Sequence, residues 1–211
     1  EGNRIRLEVI SAQRGLIFDS LNKPLAINIP NVSLVLTPAD APHSDDERHA
    51  ILDQISKIVE LSLDKSRKID WQSYVPVTLV EHLSHDQTVK LVVLASRSPG
   101  FNVQILNERQ YVLGSAAAHL LGYMGAISPE DLLLKDFNYQ YQDYKGIAGV
   151  EVAYESVLRG QAGKREVEVN NLGKPQQVYA SEDPVAGNNL TLTVDSELQT
   201  ILAMSMEKSL H

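Results

Sequence analysis

Residues 14–26 read Arg14-Gly15-Leu16-Ile17-Phe18-Asp19-Ser20-Leu21-Asn22-Lys23-Pro24-Leu25-Ala26. Two apolar runs flank a short polar stretch, which predicts a β-hairpin. Asn22 is the residue best able to take the left-handed backbone that such a turn needs. Upstream, Ile5, Leu7 and Val9 alternate with Arg4, Arg6 and Glu8, the period of a strand with one buried face. Downstream, residues 32–36 predict another strand, closed by Thr37 and Pro38.

From Ser44 the period changes. Ser44 with Glu47 has capping-box spacing, and Ile51, Leu52, Ile55, Ile58, Val59 and Leu61 follow at helical intervals. Ser84 with Gln87 repeats the signal before Leu91, Val92, Leu94 and Ala95, and Ser128-Pro129-Glu130 predicts a third helix. After Gly149 a short helix carrying Val150, Tyr154, Val157 and Leu158 should stop at Gly160. Strand periodicity returns over 166–169 and, beyond a turn at 170–173, over 176–180. A strand at 190–194 then leads to Asp195 or Ser196 as the N-cap of a last helix through Leu198, Ile201, Leu202 and Met206. Strands bracket helices, which predicts an α+β fold in which the early and late strands share one sheet and a helix-rich lobe is inserted between them.

The 211 residues contain 43% hydrophobic and 22% charged residues, an ordinary globular balance. A net charge of −8 argues against a phosphate backbone as partner. With no cysteine there is neither a disulfide framework nor a thiol nucleophile, which fits an oxidising compartment. No run approaches the roughly 18 apolar residues of a membrane span.

Several patterns invite a chemical reading. His43, Asp45, Asp46 and His49 have the residue types of a zinc or manganese site, and would make a metal-dependent hydrolase the rival reading. Acidic residues opening a helix account for the same pattern through the helix dipole. His82 and His85 beside Glu81 lack a third ligand. Ser62 with Lys65 and Ser205 with Lys208 have the Ser-x-x-Lys spacing of penicilloyl-serine enzymes. No Lys-Thr-Gly or Lys-Ser-Gly follows either, and Ser20-Leu21-Asn22 precedes both, so no catalytic set is assembled. Gly146 to Gly149 matches no phosphate loop or dinucleotide fingerprint. Arg14, Gly15, Arg109, Glu151 and Tyr154 lie at glycine-marked junctions, where pairing of charges is the simplest role.

At those junctions the chain resembles a known family. Arg14-Gly15-Leu16-Ile17-Phe18-Asp19 with Pro24-Leu25-Ala26 resembles the opening motif of the class B penicillin-binding proteins. Arg109-Gln110-Tyr111 with Gly114, then His119-Leu120-Leu121-Gly122-Tyr123, resembles the second. Gly146-Ile147-Ala148-Gly149-Val150-Glu151 with Tyr154, Leu158, Arg159-Gly160 and Gly163 resembles the third. Gly187 and the run Leu190-Thr191-Leu192-Thr193-Val194-Asp195 with Leu198-Gln199 resembles the entry to the transpeptidase domain. The stretch 166–173 is closer to the elongation type, penicillin-binding protein 2, than to the division type. Ser20-Leu21-Asn22 replaces the usual Arg-Asn-Gly, and Val112 the usual proline.

The resemblance implies a non-catalytic pedestal, with residues 1–36 and 141–188 as an anchor subdomain, 37–140 as a head, and 189–211 as the start of the transpeptidase domain. It implies no cofactor and no metal. It also implies a place on the periplasmic or other extracytoplasmic face of the membrane, held by an N-terminal anchor. The implied partners are the protein's own transpeptidase domain, a RodA-type glycosyltransferase and an MreC-type scaffold, and the division-type pedestal is the alternative.

Overall fold

The hairpin forms where its sequence predicts. In a computed structural model, which describes residues 4–60, 69–128, 130–133, 139, 143–169 and 175–209, β2 (Ile17–Phe18) turns into β3 (Pro24–Leu36). Asn22 takes a φ of 61°, in the left-handed region. Asp19 closes the turn, its Oδ1 accepting from the backbone N–H groups of Leu21 and Lys23, each at 2.8 Å. The separate strand expected over 32–36 is the second half of β3. Antiparallel partners hold it extended at both ends: β2 along its start and β4 (Val77–Val80) along its finish.

The fold is α+β, with strands in three sheets. β1 (Arg4–Ile10), β8 (Gly163–Val169) and β9 (Pro175–Glu182) form one, in the order β1-β8-β9. A second runs β10-β2-β3-β4, with β10 (Leu190–Thr191) parallel to β2 and β5 (Phe101–Tyr111) also paired to β3. The early and late strands therefore do not share a single sheet. β2 and β3 find partners in β10, β4 and β5, and β1 alone joins β8 and β9. The late strand is regular over Leu190–Thr191, and its backbone bonds to the hairpin continue through Leu192 N to the Phe18 carbonyl and Ser20 N to the Val194 carbonyl; the turn expected at 170–173 lies outside the described residues.

β1 has the predicted period with the opposite face buried: Ile5, Leu7 and Val9 are 69%, 58% and 38% exposed. Ion pairs turn the polar row inward instead. Arg6 Nη2 reaches Asp40 at 2.6 Å, and Arg165 Nη2 reaches Glu8 at 2.7 Å.

The chain divides into two units. The first comprises residues 1–7, 30–107 and 166–180, the second 8–29, 108–165 and 181–211. Residues 108–140, grouped with the head in the sequence reading, lie in the second unit.

In the first unit, α1 (Asp45–Ser56) and α2 (His85–Ala95) supply Ile55, Leu91 and Ala95 to a core with Leu34, Leu36, Leu79, Leu83 and Phe101. The two predicted capping boxes differ. At α2 the box is complete, Gln87 N donating to Ser84 Oγ and Ser84 N to Gln87 Oε1. At α1 the Ser44 side chain makes no cap bond. Asp45, Asp46 and Glu47 occupy the first turn instead, where they complement the dipole. This helix ends at Ser56, although Val59 beyond it is still buried.

In the second unit, Ile17, Leu25, Ala26, Ala117, Leu121 and Leu158 form the apolar centre. β6 (Met124–Ala126) and β7 (Tyr144–Gly146) make a small antiparallel pair. Where a helix is expected from Ser128, the described residues form a 3-10 turn, Asp131–Leu133, with the Ser128 N–H and hydroxyl both donating forward to Asp131 Oδ2. Pro129 and residues 134–138 lie outside the described residues. The helix after Gly149 comes in two pieces, α4 (Gly149–Ala153) and α5 (Glu155–Leu158), broken at Tyr154. Numbering the helix Ala118–Leu121 as α3 makes the last one, Ser196–Ser209, α6.

Candidate functional site

The second unit buries two arginines and two glutamates in one network. Glu151, on α4, is completely buried. Its Oε2 accepts from Arg14 Nε at 2.7 Å and its Oε1 from Arg109 Nε at 2.9 Å and Tyr111 OH at 3.3 Å. Glu155 lies one helical turn on and reaches the same arginine, Arg14 Nη2 donating to its Oε2 at 2.6 Å. That oxygen also accepts from Gly146 N at 3.0 Å, and Tyr139 OH donates to Oε1 at 3.2 Å.

Backbone groups are drawn in as well. Arg14 Nη2 donates to the Glu151 carbonyl at 3.1 Å, and Arg109 Nη1 to the Gly15 carbonyl at 2.9 Å. Asn28 bridges the two arginines, accepting from Arg109 Nη1 at 3.0 Å and donating to the Arg14 carbonyl at 2.6 Å.

The formal charges cancel, which is what permits their burial. Burial works against the Arg14 guanidinium, but the carboxylates of Glu155 and Glu151 outweigh it and raise its pKa. The hydroxyls respond in the same field: burial first, then the Glu151 charge, pushes Tyr111 up to about 12. Burial and Glu155 likewise push Tyr139 up to about 12. Both phenols therefore keep their protons and act as donors. Every carboxylate oxygen is engaged by protein donors, so the network braces the backbone and presents no free acid, base or nucleophile.

Glycines let the backbone close around it. Gly15 donates its N–H to the Leu158 carbonyl at 2.7 Å, and a Cβ there would stand 1.9 Å from the Asn188 carbonyl oxygen. Gly149 begins α4 with a φ of 59°, and a side chain on it would meet the Leu120 carbonyl.

Arg14, Gly15, Arg109, Tyr111, Gly146, Gly149 and Glu151 of the sequence-predicted residues come together here; the others do not. Gly114 opens a 3-10 turn, Gly160 follows α5, and Gly163 begins β8. Tyr154 sits at the helix break, 44% exposed. Asp195 caps α6, its Oδ1 accepting from the N–H groups of Glu197 and Leu198, and Asp19 belongs to the hairpin turn. Glu155, Asn28 and Tyr139 were missed. A signal existed for Glu155, which follows Glu151 at helical i,i+4 spacing.

Asp45, His49 and Ser205, among the metal and nucleophile candidates, have other partners. Arg48 pairs with Asp45 at 3.1 Å, and His49 Nδ1 lies 2.7 Å from the Asp45 carbonyl oxygen. Among the described residues no cluster of three His, Asp or Glu side chains could hold a metal ion. Ser205 Oγ donates within α6 to the Ile201 carbonyl. Ser62 and Lys65 lie outside the described residues.

Residues 9–192 match the family model described as the penicillin-binding protein dimerisation domain. The chain is 32% identical to the peptidoglycan D,D-transpeptidase MrdA of Haemophilus influenzae, over 94% of this chain and 31% of that protein. To the MrdA of Escherichia coli K12 it is also 32% identical, over 96% of this chain and 34% of that one. Penicillin-binding protein 3 of Bacillus subtilis is 31% identical, over 92% and 29% respectively. The chain thus spans about a third of the length of the curated relatives it matches. Among solved structures, the complex between penicillin-binding protein 2 and MreC from Helicobacter pylori has the same fold, with a TM-score of 0.73 at 23% identity, covering 98% of this chain and 39% of that one.

Proposed function

Because the chain belongs to the penicillin-binding protein dimerisation-domain family, we propose that it is the non-catalytic pedestal of an elongation-type peptidoglycan D,D-transpeptidase. The single observation that carries this reading is the Arg14–Glu151–Arg109 network. Its residues come from the three family-like motifs, and every carboxylate oxygen in it is engaged by a donor that ties backbone segments or side chains together. A rigid spacer needs such a centre; an active site would need a free one. The pedestal holds its transpeptidase domain away from an extracytoplasmic membrane face, to which an N-terminal anchor ties the whole protein. Among the described residues no helix is long and apolar enough to cross a membrane.

The relative solved with MreC supports an MreC-type scaffold as partner, and the family resemblance extends this to a RodA-type glycosyltransferase. Labelling with a fluorescent penicillin tests the non-catalytic part: the 211-residue chain should take up no covalent label. Label on Ser62 or Ser205 would overturn it.

A further inference from the structure

Asp19 is fully buried although it belongs to a surface turn. Its two oxygens are divided between two elements. Oδ1 holds the hairpin turn through the Leu21 and Lys23 N–H groups. Oδ2 holds the start of α6, accepting from Ser196 Oγ at 2.6 Å and Ser196 N at 3.2 Å. Around it, Ser20 N donates to the Val194 carbonyl at 2.9 Å and Lys23 pairs with Glu197.

The first N–H groups of a helix have no partner within it. Asp195 supplies one for Glu197 and Leu198, and Asp19, 177 positions away in sequence from Ser196, supplies one for Ser196. This start matters because α6 is held along its first turns, where Gln199 Nε2 donates to the Ala116 carbonyl at 2.9 Å, while Leu198, Ile201, Met204 and Met206 are all more than half exposed. A helix with so much of its apolar surface uncovered leans heavily on its caps.

We propose that Asp19 is a positioning residue that couples the hairpin turn to helix α6, so that the two elements tighten and loosen together. Strain on the turn pulls Oδ1, tilts the carboxylate and withdraws Oδ2 from the helix start. Loss of the helix start frees the carboxylate to rotate out of the turn. The functional consequence rests on the pedestal reading: α6 then leads toward the transpeptidase domain, and a partner gripping the turn biases that domain.

Residue-resolved amide exchange on the full chain tests the coupling. Ser196→Ala removes the hydroxyl donor and leaves the turn untouched. Asn22→Val strains the left-handed turn position, whose N–H donates to the Asp19 carbonyl, and removes no donor to the Asp19 carboxylate. Coupling between sites is reciprocal, so Ser196→Ala should speed exchange at Leu21 and Lys23 by about fivefold or more, and Asn22→Val should do the same at Ser196, Glu197 and Leu198. If each variant loosens only its own element, Asp19 is two independent caps and the proposal fails. Exchange at Leu158, in the apolar centre of the same unit, reports that the fold is intact. Coupling that persists in a chain unable to bind a scaffold would strike the pedestal reading alone.

Discussion

The two units bury different things. The first closes around Leu34, Leu36, Ile55, Leu91 and Phe101, and its Arg6–Asp40 pair leaves a quarter of the arginine side chain exposed. The second has a smaller apolar centre and beside it a network in which Glu151 is wholly buried and Arg14, Arg109 and Glu155 nearly so. Apolar packing is forgiving, because a trimmed side chain leaves a void that neighbours can partly fill. A buried ion network is not, because removing one member strands the others without water. The segments it joins are far apart in sequence, so it fixes which backbone segments meet in addition to how tightly they pack.

Glu151→Ala should therefore be the most damaging single change. It leaves the buried Arg109 without its carboxylate and Arg14 with Glu155 alone, at a cost of about 4 kcal/mol, seen as faster amide exchange at Ile17 and Leu158 with Leu91 as the internal control. Leu91→Ala, in the first unit, should cost about 3 kcal/mol through cavity formation, read at Ile55 and Leu79. Equal losses at all of these positions in both variants would break the distinction.

The sequence made some of this legible. Local signals were enough for the hairpin, because Asn22 and the polar turn act within a few residues, and for the α2 cap, where Ser84 and Gln87 are neighbours. Arg14, Arg109 and Glu151 stood out because glycines mark the close approaches around them. Pairings decided at long range were not legible. Alternation in β1 gave the period, while the buried side was set by Asp40 and Arg165, distant in sequence. Sheet partnership depended on which strands the fold brings beside β2 and β3. Glu155 carried only its i,i+4 spacing from Glu151, since the partners that bury it, Arg14 and Tyr139, are brought to it by the fold.

Acid should also separate the units. The Ser196 hydroxyl and turn amides hold Asp19 at about 2, and Lys145 with Ser128 holds Asp131 at about 2, against an ordinary 3.8. A carboxylate lowered by folding contributes stability that is complete above its unfolded pKa and is lost as pH falls through the folded one. Both residues lie in the second unit, so its amides should lose protection between about pH 4 and pH 2 before those of the first. The reverse order would contradict that assignment.

The smallest effects concern the caps. Ser84→Ala should cost about 1 kcal/mol, since it breaks a formed capping box. Ser44→Ala, at the same position of α1, should stay within about 0.5 kcal/mol of zero, since its side chain makes no cap bond. Urea unfolding of the two variants compares them directly. A matching cost at Ser44 would mean that the box forms in solution.

On the pedestal proposal, this chain supports its transpeptidase domain and binds a scaffold. Calorimetric titration of the 211-residue chain with the extracytoplasmic part of an MreC-type scaffold puts this to the test. Saturable binding by the isolated chain is expected. A titration with no heat beyond dilution, repeated at a second temperature to exclude an enthalpy near zero, would contradict it.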